Sequence, residues 1–328
     1  MIRDNLLEVN HLKTYFYTDE GVVKSVDDVS FSVQPSRTLG IVGESGCGKS
    51  ITLLSIMRLI ENPPGKIVAG EILYNGENLL KKNKEEMRQI RGNNIAMIFQ
   101  EPMTSLNPVY TIGEQILESI SIHRPELDKG EARERALAML KMVNIPMPEK
   151  RFNEYPHQLS GGMRQRVMIA IALSCEPDLL LCDEPTTALD VTVQAQILEL
   201  INDLKKKARA AIIMVTHDLG VISEVADDVM VMYAGKVVEF ATVDQIFAQP
   251  MHPYTCGLIN CIPSLDKEVE RLSTIPGMVP SFNEMPKGCA FAPRCSRATQ
   301  RCKENMPELI DIGERKVRCF LYEGKDTE

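Results

Sequence analysis

Gly43-Glu44-Ser45-Gly46-Cys47-Gly48-Lys49-Ser50 is a complete G-x-x-x-x-G-K-S run, and the fold is read outward from it. A short apolar stretch, Leu39 to Val42, stands before it, and Leu53, Leu54, Ile56 and Met57 follow at helical spacing. Strand, loop and helix in that order are the context the motif requires. Glycines let the backbone fold tightly enough for successive N–H groups to point at a triphosphate, and the positive end of the helix adds its field to theirs. Gly43 to Ile51 are therefore the expected nucleotide contacts, with Lys49 reaching the β- and γ-phosphates and Ser50 ligating Mg²⁺.

The bulk numbers narrow the class. A chain of 328 residues, 44% hydrophobic and 25% charged, suits about two domains with ordinary cores. A formal net charge of -8 argues against a broad nucleic-acid footprint, which needs clustered Lys and Arg. No apolar run approaches the ~20 residues of a spanning helix, and Met1-Ile2-Arg3-Asp4 does not read as a secretory signal. The expectation is a cytosolic protein whose nine cysteines are free, metal-bound or catalytic rather than paired.

Before the loop, Leu6 to Phe16 and Val22 to Val33 alternate apolar and polar residues, most clearly at Val29, Phe31 and Val33, as antiparallel strands with one buried face do. Tyr15 and Phe16 lie near the turn Asp19-Glu20-Gly21, where a ring can stack on a base or fill the sheet core. After the loop, Gly70 to Tyr74 and Ile95 to Phe99 read as strands around a charged helix, Lys81 to Arg91. Gln100 ends the second strand, and residues 101 to about 177 read as a mostly helical insertion. Within it, Asp128 and Glu131 make an Asp-capped box before an apolar face at Ala132, Ala136, Leu137, Leu140 and Val143. Then Leu179 to Cys182 forms an unbroken apolar strand ending in Asp183-Glu184. A helix from Val191 to Lys207 follows, then a strand from Ala211 to Val215 ending at Thr216-His217, and strands at 229–233 and 236–240. Such strands alternating with helices predict an α/β fold with a parallel sheet buried on both faces. Prolines crowd the region after Pro250, which reads as a loop-rich extension.

Asp183 and Glu184, one carboxylate for Mg²⁺ and one to polarise an attacking water, are what a phosphoryl-transfer site asks for. His217 and Gln100 also stand just past strand ends. The decisive segment is Leu159-Ser160-Gly161-Gly162-Met163-Arg164-Gln165-Arg166, which opens a second helix whose N-terminus suits an anion. Here the chain resembles the ATP-binding-cassette ATPases, in which the signature of one subunit closes over the nucleotide held by the phosphate loop of another. The resemblance covers residues 4 to about 250. It implies a dimer sandwiching ATP, Phe16 or Tyr15 stacked on adenine, and Gln100 sensing nucleotide with Ser50 and Asp183 around Mg²⁺. It further implies Glu184 as general base, Ser160, Gly161 and Gly162 on the partner's nucleotide, Ala188-Leu189-Asp190 as an interface loop and His217 as a switch. A repair-type relative would need a long coiled coil between loop and signature, a translation-type relative two cassettes, and a kinase would leave the signature unexplained.

Gln100 to Pro108, Met163 to Ala170 and His252-Pro253-Tyr254-Thr255 resemble more narrowly the dipeptide, oligopeptide and nickel importers, and the Met-Arg signature resembles the first of their two ATPase subunits. That likeness implies a heterodimer with a second ATPase subunit, two transmembrane permeases, an extracytoplasmic solute-binding protein, and a peripheral place on the cytoplasmic face of the membrane. It divides the chain into a nucleotide-binding domain, 1–250, and a transporter-type extension, 251–328. In the extension Cys289, Cys295, Cys302 and Cys319 form a C-x5-C-x6-C-x16-C array, whose spacing alone chooses neither zinc nor iron–sulfur. The family likeness implies a [4Fe–4S] cluster there. The other five cysteines read as small core residues.

Overall fold

The computed structural model describes residues 5–101, 105–187, 190–208, 210–261 and 274–324. Among them twelve strands run in chain order: β1 (Leu7–Thr18), β2 (Gly21–Val33), β3 (Thr38–Val42), β4 (Gly65–Tyr74), β5 (Glu77–Asn78), β6 (Ile95–Ile98), β7 (Leu179–Asp183), β8 (Ala211–Val215), β9 (Asp228–Tyr233), β10 (Lys236–Thr242), β11 (Ile310–Ile312) and β12 (Arg315–Val317). The chain divides into two compact units. One comprises Met1–Val33, Thr38–Leu80 and Val215–Glu328, the other Gln34–Arg37 and Lys81–Met214.

In the first unit, β2-β1-β4-β5 make an antiparallel sheet. Alternation sets its register: Val9 opposes Phe31 and Leu12 opposes Val29, so the apolar side chains share one buried face. β3 is apolar and buried throughout, and it pairs in parallel with β9, Leu39 facing Asp228 and Val42 facing Val231. β10 departs from the expected parallel order. Ala234 and Gly235, with φ of 47° and 80°, turn the chain back in two residues, which leaves no length for a crossover and forces an antiparallel hairpin. β12 then adds to β10 and β11 to β12, both antiparallel, so the C-terminal residues contribute sheet as well as loops.

In the second unit β6 and β7 are parallel, Ile95 facing Leu179 and Ile98 facing Cys182, with β8 on the other side of β7. All three strands are buried. Helices Ile112–His123 and Lys129–Met142 begin at capping boxes. Asp128 accepts from the N–H groups of Gly130 and Glu131, and Glu131 returns the bond to the Asp128 N–H. Ala132, Ala136 and Leu140 face inward from the second of them. Helix Gly161–Leu173 is apolar on most sides, as befits one packed between other elements. Among the described residues no helix is long and apolar enough to cross a membrane.

Candidate nucleotide site

β3 delivers the chain to the loop in the first unit. Gly43 has φ 152° and Gly48 φ 103°, and a Cβ would stand 2.3 Å from the Met232 carbonyl oxygen at the first and 2.2 Å from the Ser25 carbonyl oxygen at the second. Only glycine fits either place. Ser45 and Gly46 form the exposed crest, while Cys47 is buried, its thiol pushed up by burial. Lys49 opens helix Lys49–Ile56 and is only 5% exposed. Its ammonium donates to the Gly43 carbonyl at 2.7 Å and the Glu44 carbonyl at 3.2 Å. A buried cation held by neutral carbonyls inside a glycine-shaped loop fits a polyanion. Ser50 and Ile51 follow, half-buried, in the first turn.

His217 is exposed. The Thr216 N–H before it donates to the Ile41 carbonyl at 3.3 Å, which sets His217 alongside the strand that feeds the loop. Tyr15 is less available for a base than its sequence position suggests. Its hydroxyl donates to Asp27 at 2.7 Å, Asp27 is paired with Lys236 at 2.8 Å, and burial together with that aspartate pushes the phenol up. Phe16 is half-buried, its ring against the α-carbon of Gly65, where a Cβ would come within 2.8 Å.

The second unit holds the remaining nucleotide motifs. Asp183, 6% exposed, ends β7, and Glu184 follows with φ 48°. The Glu184 carboxylate accepts from the Gln100 amide at 3.0 Å and from the Thr187 hydroxyl at 2.9 Å, so the structure brings Gln100 and Glu184 together. Ser160 caps helix Gly161–Leu173, accepting from the Met163 N–H. A Cβ on Gly161 would meet nothing within 4 Å, which leaves this helix end open to an approaching group. Gln165 donates to the Pro185 carbonyl at 2.6 Å and joins the signature helix to the turn after Glu184. Asp190 accepts from the Val193 N–H at the start of helix Val191–Ala208. Ala188 and Leu189 lie outside the described residues.

The cysteine centre requires correction. Cys289, Cys295, Cys302 and Cys319 line one cavity, but its volume is 20 Å³, room for about one water. Among the described residues no group of three or more His, Cys, Asp or Glu side chains is placed to hold a metal ion. Burial pushes the thiols of Cys289 and Cys295 up and that of Cys319 up to about 11, which favours the protonated form over the ligating thiolate. Neither the [4Fe–4S] cluster nor zinc fits. Of the other five cysteines, Cys47, Cys175 and Cys182 are buried as expected and Cys256 and Cys261 are half-buried.

Thr187 falls in no motif of the sequence, and Gln165, inside the signature segment, shows its contact only in the folded chain. Tyr254 and Arg294 both bond to Glu44 of the loop from 210 and 250 positions away, and no local pattern marks such pairs.

Residues 26–187 match the ABC transporter family model, and residues 238–302 match the oligopeptide/dipeptide transporter, C-terminal region. The oligopeptide transport ATP-binding protein AppD of Bacillus subtilis is 54% identical over 324 residues, 98% of each chain. The probable peptide ABC transporter ATP-binding protein y4tR of Sinorhizobium fredii is 54% identical over 310 residues, 94% of this chain and 92% of its own. The dimeric post-hydrolysis structure of the ATP-binding cassette MJ0796 bound to ADP and Pi superposes with a TM-score of 0.66 at 28% identity, covering 72% of this chain and 98% of that one. A phosphate loop, a signature helix end and a hydrogen-bonded carboxylate at a buried strand end thus accompany likeness over nearly the whole length, and the chain belongs to the ATP-hydrolysing subunits of ABC transporters that carry the oligopeptide/dipeptide C-terminal region.

Proposed function

We propose that the chain powers import of di- or oligopeptides, as one ATPase of a heterodimer beneath two permeases on the cytoplasmic face of the membrane, supplied by an extracytoplasmic solute-binding protein. The observation that carries this reading is the 54% identity over 98% of both chains with an oligopeptide transport ATP-binding protein. Magnesium bound with ATP would neutralise phosphate charge, with oxygen donors from Ser50, Asp183 and Gln100. The loop amides of Gly43 to Ser50 bind the phosphates, and Lys49 gives up its carbonyl contacts to reach them. Phe16, with its hydroxyl-free ring, meets adenine in preference to Tyr15, which is tied to Asp27.

Glu184 takes the proton of the attacking water. Gln100 and Thr187 both donate to its Oε2, orienting the carboxylate for that task. His217 contacts the γ-phosphate, and Asp190 belongs to the interface loop. Ser160, Gly161 and Gly162 complete the partner's site, so that each nucleotide is held between two subunits.

The test is transport by the assembled complex in cells. Glu184→Gln should stop uptake of a radiolabelled tripeptide and cut ATP hydrolysis by roughly a thousandfold while ATP binding persists. Unchanged peptide uptake, or loss of nickel uptake in its place, would overturn the assignment.

A further inference from the structure

Arg294 reaches from the C-terminal residues to the second residue of the phosphate loop. Its side chain is 4% exposed, and the guanidinium donates two parallel bonds to the Glu44 carboxylate, Nη1 to Oε2 at 2.6 Å and Nη2 to Oε1 at 2.9 Å. Its orientation is held from behind: Nε donates to the Pro276 carbonyl at 3.0 Å, Nη2 to the Ile275 carbonyl at 3.3 Å and Nη1 to the Tyr233 hydroxyl at 3.4 Å. The Glu44 N–H in turn donates to the Tyr254 hydroxyl at 2.8 Å. Tyr254, Tyr233 and Phe291 pack ring on ring, with centroids 4.7 to 5.4 Å apart, so the clamp stands on a rigid base.

Glu44 is an anion in a loop whose other groups are arranged for anions. Left loose, its carboxylate would repel a triphosphate and draw Lys49 away from it. A bidentate guanidinium neutralises that charge and fixes its direction, which a lysine's point charge does less well. We propose that Arg294 is a positioning residue for nucleotide binding, which acts through Glu44 to make the C-terminal region set the affinity of the phosphate loop for ATP. The inference rests on the phosphate-loop reading given under Proposed function.

The test measures the dissociation constant of N-methylanthraniloyl-ATP with the full chain and five variants: Arg294→Met, Arg294→Lys, Glu44→Gln, the double variant Glu44→Gln/Arg294→Met, and Lys49→Ala. Arg294→Met should weaken binding roughly tenfold at low salt and less at high salt. Glu44→Gln should cost little, and the double variant should match Glu44→Gln alone, because no carboxylate remains to be neutralised. Arg294→Lys should fall between. If Arg294→Met does not fold, Arg294→Lys in the presence and absence of Glu44→Gln gives the same comparison. A purely structural arginine would lower the melting temperature of the nucleotide-free chain without moving the dissociation constant, or would give the double variant the sum of both losses. Either result overturns the proposal. If Lys49→Ala weakens binding and Arg294→Met does not, the clamp alone is wrong. If Lys49→Ala binds as the unaltered chain does, the phosphate-loop reading falls and the clamp with it.

Discussion

In the phosphate loop Lys49 carries an ammonium into the interior, where the carbonyls of Gly43 and Glu44 receive it. In the cysteine-bearing tail of the same unit, burial keeps the titratable groups neutral. The thiols of Cys289, Cys295 and Cys319 are pushed up, and burial, helped by the Arg318 charge, holds the His252 imidazole down to about 3. Both regions hide reactive side chains, but the loop surrounds its lysine with backbone dipoles, whereas the tail packs its thiols and His252 among rings and aliphatic groups. Burial among dipoles prepares a site for an oppositely charged ligand, whereas burial among rings and aliphatic groups prepares a joint. Two buried arginine side chains in the tail are the exception: Arg318 donates to the carbonyls of Val237 and Pro307, and Arg294 to the Glu44 carboxylate.

Four experiments bear on that contrast. Lys49→Ala should raise the dissociation constant for ATP by about a hundredfold, the loss of a charge-assisted contact to a polyanion. Calorimetry finding unchanged affinity would mean that the buried ammonium is structural, and would put the loop in the same class as the tail. Gly48→Ala should cost about 2–3 kcal/mol of stability, since the new Cβ must take φ 103° at 2.2 Å from the Ser25 carbonyl. Gly46→Ala, at φ 78° with nothing within 4 Å, should cost about 1 kcal/mol. Equal costs in thermal melts would show that backbone strain alone, and not the press of β2, shapes the loop.

The third experiment concerns His252. It is neutral in the folded chain down to about pH 3 and titrates near its ordinary 6.5 when unfolded. The unfolded state therefore binds more protons between those values, and stability should fall as pH drops through that window. From pH 7 to 5 this one group accounts for on the order of 2 kcal/mol. Urea unfolding of His252→Gln should show a correspondingly flatter profile over that range; an identical slope would mean that the imidazole is charged in the tail after all. The smallest effect is expected at Cys319, where the rate of alkylation by iodoacetamide should keep rising with pH to about 11. A rate that levels off near the ordinary thiol value of 9.0 would remove the contrast at that residue.

How much was legible in the chain follows the same division. The loop could be read because its work is done by the backbone, and glycines at fixed spacing announce the conformation directly. The Asp128–Glu131 box was equally local. The β9–β10 hairpin escaped because its turn is Ala234-Gly235, and an alanine at φ 47° carries none of the Asn-Gly or Asp-Gly signal. The cysteine array misled because spacing along the chain says nothing of distances between side chains brought together from separate turns. The Gln100–Glu184 bond links residues 84 apart, and only their shared position at the ends of neighbouring strands hinted at it.

The Glu44–Arg294 pair spans 250 residues of sequence. A ribosome adding roughly 5–20 residues per second therefore exposes the loop for about ten to fifty seconds before its guanidinium partner has been made. For most of that interval Met232 and Tyr254, which also contact the loop, are still to come, and of the residues outside the loop that press on its glycines only Ser25 has been made. The first unit is thus assembled from chain ends that meet last, a topology of high contact order in which closing a long loop precedes most of the stabilising contacts. Synthesis leaves the second unit, continuous from Lys81 to Met214, free to fold while the first is still waiting for its final strands.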